Sequence, residues 1–442
     1  MRVFAATVLA AACGLALAAR ADENRPPVVV TGPSGQTYAV ALQRFADVST
    51  STDGLRSGEF REHVAGALLY SGLFRVIDPQ AFLGPEASLP LARAEMPDCA
   101  EWNTIGSDAL VEGQIEIGPE KSSVEFRVWD TSRCRALIRR RYRQDASAPF
   151  GALAKRVADD VVQMFTGVRG VASTELTFVS NREGNTEIYV MDADGGNARR
   201  ATANGSINNF PSWTPDGDAI VYTSYRHRNE PRLYLSTRGR GRPGQLLAKL
   251  KGRSFYRGKF SPSGQLLGLV MSDNGASDIY TARPDGEKLR RLTRNGAIDI
   301  SPEWSPDGKQ LAFVSDRTGA PQIYVMNADG GEVRRLTFDG SYNTNPAWSP
   351  DGRWIAYESQ LEGQFDIWLI DPSGEGSGVP LVANPRSDEA PAWSPDSRKI
   401  AFSSRRRGLA DIYVMDFNGE NLLRLTQGAG DNTSPSWGPF PQ

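Results

Sequence analysis

Histidine is nearly missing: 442 residues hold two, His63 and His227, and neither stands near a plausible set of partners. That removes the usual ingredient of proton-shuttling catalysis and of imidazole-bound metal centres. No G-x-S-x-G elbow occurs, and phosphate-cradling glycine loops of either standard kind are also absent. Charge of one sign is not in excess either, since 50 Lys and Arg face 52 Asp and Glu for a formal −2. A global attraction to nucleic acid is therefore not expected. The basic clusters Arg139–Arg143, Arg238–Arg242 and Arg405–Arg407 read as solvated loops and strand edges. Past the N-terminus no apolar run reaches the roughly 20 residues needed to span a bilayer.

What is present begins with a secretory signal. Arg2 gives a thin positive region, Val3–Ala18 is small and apolar, and Ala19-Arg20-Ala21 fits an A-x-A cleavage site. The expectation is a signal peptide over 1–21 and a mature chain from Asp22. Arg2 and Arg20 leave with the signal, which takes the formal charge from −2 to −4. Cys13 raises the alternative of a lipidated N-terminus, although Ala10 stands where a larger aliphatic residue is usual. Cys99 and Cys134 remain, a pair suited to a disulfide in an oxidising compartment and poor as a metal site.

One sentence is written repeatedly. Pro302–Thr337 holds a Ser-Pro-Asp-Gly turn, a strand Gln310–Ser315, a second strand Gln322–Met326, an Asn-Ala-Asp-Gly-Gly hairpin signal and a charged edge strand Val333–Leu336. Its anchor recurs at Trp213, Phe260, Trp304, Trp348, Trp393 and Trp437, at spacings of 44 to 47 residues. A strand of the Ile-Tyr-Val-Met type recurs at Ile188, Leu233, Ile279, Ile323, Ile367 and Ile412. Four strands per repeat at this period mark a β-propeller with six blades. The first blade, Leu176–Thr202, lacks a Trp strand before it, and the Trp437 strand has none after it. The two should complete one blade, with Pro435-Ser436-Trp437 pairing into it. The anchor aromatics read as packing at the blade interfaces, worth on the order of 3–5 kcal/mol each by truncation.

Residues 22–170 lack the repeat and read as a mixed α/β domain, ahead of a propeller over 171–442. Tyr38–Phe45 and Phe74–Ile77 are strand-like. Gly58–Ser71 has apolar residues at helical spacing, and Gly84–Ala100 is loop-like. Three further strands fall in Asp108–Gly118, Ser123–Trp129 and Arg135–Arg143. A helix over Ala148–Phe165 should turn Leu153, Val157, Val161 and Met164 inward. Fragments of calcium loops at Met191–Gly196 and Met326–Gly331 lack the remaining ligands and read as hairpin turns. The expectation is no enzyme activity, no cofactor and no metal.

Binding is the better class. Five residues before each anchor stand Asn208, Phe255, Asp299, Asn343, Asp388 and Asn432, and next to them Asn209, Tyr256, Ile300, Thr344, Glu389 and Thr433. These positions open the innermost strand near the propeller axis. They are expected to form a polar, partly acidic ring at the channel mouth, able to take a protein loop or a cation. The bland alternative is that Asn and Asp merely end loops there. A small ligand or peptide in the channel, as in peptidase-related propellers, is the competing functional class, and an inert scaffold a third.

The order of signal peptide, α/β domain with Ser71–Asp78 (SGLFRVID), six blades and a closing PSWGP resembles the TolB family, the periplasmic propellers of the Tol-Pal system. The resemblance implies a non-catalytic, monomeric periplasmic protein, peripheral to membranes only through its partners. It implies a role in outer-membrane integrity and in constriction during cell division. It places Pal, the peptidoglycan-associated lipoprotein, at the channel-mouth residues above. It places the C-terminal domain of TolA at the mature N-terminus: Asp22, Glu23, Asn24, Arg25, Pro26, Pro27, Val28, Val29, Val30, Thr31, Gly32 and Pro33. The Val run there could add a strand to a partner's sheet, or be the domain's own first strand. Blade three departs from the pattern, with Phe255, Tyr256 and Arg257 in place of small polar residues and Phe260 in place of Trp.

Overall fold

The computed structural model describes residues 37–49, 55–93, 95–237, 245–246, 254–273, 275–361, 363–382, 384–428 and 430–441. The signal peptide, the segment Asp22–Pro33 and the basic cluster Arg238–Arg242 lie outside them.

The first domain is a mixed sheet with two long helices on one face and a short one against the other. Its strands are β1 (Tyr38–Leu42), β2 (Ala46–Asp47), β3 (Phe74–Val76), β4 (Ala109–Ile117), β5 (Lys121–Asp130) and β6 (Arg135–Asp145). Their order is β3-β1-β4-β5-β6, with β2 pairing beside β4. β1 runs parallel to β3 and β4, whereas β4, β5 and β6 form an antiparallel meander. Helices α1 (Leu55–Tyr70) and α3 (Gly151–Thr166) cover the sheet. Phe60, Val64 and Leu68 of α1 meet Leu153, Val157 and Val161 of α3 over Val40, Val111, Val124 and Phe126, all buried. Met164, expected inward, is exposed in the last turn of α3. The stretch read as loop, Gly84–Ala100, runs into a short helix α2 (Cys99–Thr104), started by the Asp98 carboxylate accepting from the Ala100 amide. Cys99 and Cys134 are joined, Cα to Cα 5.5 Å, which ties α2 to the turn before β6.

The propeller has six four-stranded antiparallel sheets. The inner strands are Asn208–Trp213, Ser254–Phe260, Asp299–Trp304, Tyr342–Trp348 and Asp388–Trp393 for blades two to six, and Asn432–Trp437 for blade one. As the repeat phase required, Asn432–Trp437 pairs with Glu175–Ser180, Asn432 opposite Ser180 and Trp437 opposite Leu176. The ring therefore closes without an open edge at that junction.

The anchor tryptophans are buried between blades. Three of them staple across: the indole N–H of Trp213 donates to Ser436 O at 3.3 Å, that of Trp304 to Lys259 O at 3.1 Å, and that of Trp393 to Ala347 O at 3.0 Å. Trp437 donates to Thr174 Oγ1 at 2.8 Å. A large apolar body with one donor suits such a position, since the N–H would otherwise be buried unpaired.

Antiparallel pairing puts the Trp turns and the hairpins between third and fourth strands at one end of the ring. The first domain docks there. The Tyr70 hydroxyl donates to Ala193 O at 2.8 Å, and Lys155 Nζ lies 2.7 Å from Asp192 Oδ2 and 2.6 Å from Asp194 Oδ2. The loop weighed as a calcium-site fragment thus spends its two carboxylates on a lysine. Asp159 of α3 accepts from the amides of Ala172 and Ser173 at 2.8 and 2.9 Å, fixing the connecting segment. Burial pushes its carboxyl up to about 6. The opposite end of the ring, where the inner strands begin, is uncovered among the described residues.

Candidate functional site

The axial channel is built by the residues two, three and one before each anchor, in a pattern that proline dictates. Pro stands two before the anchor in five blades (Pro211, Pro302, Pro346, Pro391, Pro435), and Gly258 in the sixth. Proline has no N–H for the ladder and so favours a bulge. Each inner strand shows a register shift at this point. The residue before it is left-handed in all six blades: Phe210 (φ 53°), Arg257 (53°), Ser301 (56°), Asn345 (47°), Ala390 (55°) and Ser434 (49°). Non-glycine residues held there carry strain of order 1–3 kcal/mol each, and such positions gather at functional sites. Here they form one ring, lining a cavity of about 290 Å³.

This corrects the expected ring. Asn208, Phe255, Asp299, Asn343, Asp388 and Asn432 are fully buried and do not line the cavity. They cement blades. Asn208 Nδ2 donates to Glu187 Oε2 at 2.8 Å, Asn343 Nδ2 to Gln322 Oε1 at 2.8 Å, and Asn432 Nδ2 to Asp411 Oδ1 at 3.3 Å, each reaching the preceding blade. Asp299 accepts from Arg317 at 3.1 Å and Asp388 from Arg406 at 3.0 Å within their own blades. Phe255 packs in the core of blades two and three. Buried polar groups need partners, and that demand explains why Asn and Asp recur here.

The second expected set, Asn209, Tyr256, Ile300, Thr344, Glu389 and Thr433, follows one residue further along each inner strand. All but Thr344 keep partial exposure. They do not line the cavity either. Tyr256 OH shares a hydrogen bond with Ser277 Oγ at 2.7 Å, and Ile300 packs between blade cores. The sequence signal for the true lining was the residue before Pro-x-Trp, hidden because it varies from Phe to Arg to Ala.

Within the ring, Arg257 reaches across the axis. Its Nη1 donates to Ser301 Oγ at 2.7 Å and to Asn345 Oδ1 at 2.6 Å, and its guanidinium lies 4.0 Å from the centre of the Phe210 ring. Asn345 Nδ2 in turn donates to Glu358 Oε1 at 2.6 Å, which also accepts from the Ala390 amide at 2.5 Å. Burial lowers Arg257 and raises the Glu358 carboxyl to about 7. Lys259 and Glu303, the other charged lining residues, pair at 2.8 Å. No group of acids, Cys and His fit to hold a metal ion occurs among the described residues.

At the open end, Ile207, Ile298, Phe338, Tyr342, Leu361 and Leu409 are exposed, Phe338 to 71%. Ile207, Ile298 and Phe338 sit in the loops leading to the inner strands, Tyr342 begins an inner strand, and Leu361 and Leu409 lie at strand ends beside the turns between second and third strands.

These features define a class: a six-bladed propeller closed by its C-terminal strand, with an α/β domain docked on one end and a strained polar cavity on its axis. The TolB beta propeller domain pattern matches residues 162–389 and 375–441, and the TolB amino-terminal domain pattern matches residues 26–137. The Tol-Pal system protein TolB of Anaeromyxobacter sp. (strain K) is 34% identical over 306 residues, 69% of this chain and 67% of that protein. A protein TolB homolog of Chlorobaculum tepidum is 34% identical over 283 residues, 63% of this chain and 61% of that one. The crystal structure of TolB from Acinetobacter baumannii superposes with a TM-score of 0.75 at 25% identity, covering 91% of this chain and 97% of that one. The chain belongs to the TolB family.

Proposed function

We propose that this chain is a non-catalytic periplasmic adaptor of the Tol-Pal system that binds Pal at the open end of the propeller and TolA through Asp22–Pro33. The role that follows is outer-membrane integrity and constriction during division. The observation that carries the reading is the asymmetry of the ring. Among the described residues, one end is occupied by the chain's own first domain, while the other exposes Ile207, Ile298, Tyr342 and Leu409. Exposed apolar side chains around a polar opening suit protein recognition better than a small-molecule pocket. The Pal surface is redrawn accordingly: Asn209, Tyr256, Ile300, Glu389 and Thr433 form its inner edge with these apolar residues around them. The buried Asn208, Phe255, Asp299, Asn343, Asp388 and Asn432 support it from behind.

The test is a pull-down from detergent-solubilised envelope with the mature protein and with a version lacking Asp22–Pro33. Both should retain a peptidoglycan-associated lipoprotein, and only the full version an inner-membrane partner. The paired change Ile207→Asp with Leu409→Asp should weaken lipoprotein retention at least tenfold. Retention unchanged by that pair, or no lipoprotein retained at all, overturns the reading.

A further inference from the structure

The channel contains a half-buried cation with no carboxylate in direct contact. Arg257, Lys259 and Glu303 are the charged residues that line it, and Lys259 and Glu303 neutralise one another at 2.8 Å. Arg257 is left as a net positive charge on the axis. Its two side-chain partners there, Ser301 and Asn345, are neutral. A guanidinium partly withdrawn from water is commonly matched by a carboxylate or phosphate, because its planar fork fits their paired oxygens. The acid that the Arg257 charge reaches, Glu358, is linked to it only through the Asn345 amide. Burial and the neighbouring Glu389 hold the Glu358 carboxyl near 7, so its compensating charge is partial at neutral pH. Tyr256 and Tyr342 are the other titratable groups facing Arg257.

The free edge of the guanidinium indicates the shape of the missing anion. Nη1 carries both protein hydrogen bonds, and Nε and Nη2 carry none among the described residues. Those two nitrogens form the edge of the fork that matches a carboxylate with two parallel bonds. Stacking on Phe210 at 4.0 Å sets the plane of that fork. The position is where blade three breaks the repeat, so no other blade duplicates it. A cavity of about 290 Å³ leaves room for a carboxylate and the few atoms that bear it.

We propose that the axial channel is a carboxylate-binding site in which Arg257 takes the anion through Nε and Nη2. The site repels cations. Its occupant is either an acidic side chain carried in by a docked protein or a free small carboxylate, and the recognising chemistry is the same.

Tryptophans Trp348, Trp393 and Trp437 line the same cavity and report on it. The mature protein is titrated with sodium acetate against sodium chloride at constant ionic strength, following tryptophan emission. A saturable change is expected, weakened at least tenfold in Arg257→Gln. Arg257→Lys keeps the charge but not the fork, and should lie between; it serves alone if Arg257→Gln does not fold. Calcium chloride should produce no saturable change. A linear response in the wild type, or equal responses in wild type and variant, overturns the proposal. Repeating the titration with purified Pal bound separates the sources: loss of the acetate response means that the docked protein supplies the carboxylate, and a retained response means a free one. A chain that fails to retain Pal can still be titrated with acetate alone, so the two readings fail separately.

Discussion

Glu358 sits behind the channel wall with its carboxyl raised to about 7, chiefly by burial, against roughly 4.3 for an unfolded glutamate. Between those values the folded chain holds a proton that the unfolded chain has released. Each rise in pH across that window then favours unfolding. The contribution is full below about pH 4.3 and is lost as pH climbs through 7. Asp159, raised to about 6, acts in the same direction. Glu358→Gln should therefore flatten the fall in melting temperature between about pH 4.5 and 7 without abolishing it. Thermal melts in chloride buffers would show this, and parallel slopes for the two proteins would refute it.

At the scale of elements, the closing strand Asn432–Trp437 supplies blade one with its inner strand, its Trp437 packing and the Asn432 tie to Asp411 of blade six. A chain truncated before Asp431 leaves Glu175–Ser180 as an unpaired edge facing the channel. It should melt far below the full chain or fail to accumulate in soluble form; an unchanged melting temperature would mean that the ring does not depend on this closure. This element was legible in the sequence because the repeat phase is counted from covalent order alone. The blades, the α1–α3 pairing and the tryptophan role were legible for the same reason: period and apolar spacing encode them. The lining of the channel was not. Asn343 and Asn345 are two residues apart in one strand, yet one is fully buried between blades and the other faces the axis through a left-handed φ of 47°. A bulge inserts one residue and reassigns which side chains face which way, and sequence alternation cannot register it. The short helix α2 was hidden in a similar way, being set by one Asp98 cap rather than by an apolar period.

For the whole molecule, the question is whether the two domains move as one. Lys155 lies between Asp192 and Asp194, and Tyr70 bonds Ala193, so one hairpin of blade one is held from both α1 and α3. Lys155→Met would leave two carboxylates facing each other, a loss of about 1–2 kcal/mol after allowing for the partial exposure of the pair. Calorimetry should then show the single unfolding endotherm of the wild type broadening or splitting as the domains uncouple. A single transition of unchanged sharpness would place the docking energy elsewhere.

The closed ring also sets a timetable. Arg182 of blade one donates to Asn432, its partner 250 residues further along the chain. Polypeptides are made from the N-terminus, so blade one waits, three strands wide, while five more blades are delivered. Native blade one cannot exist on a nascent chain. Until Asn432–Trp437 arrives, the Glu175–Ser180 backbone is open to the wrong strand, and helper proteins that shield such edges have their longest task here.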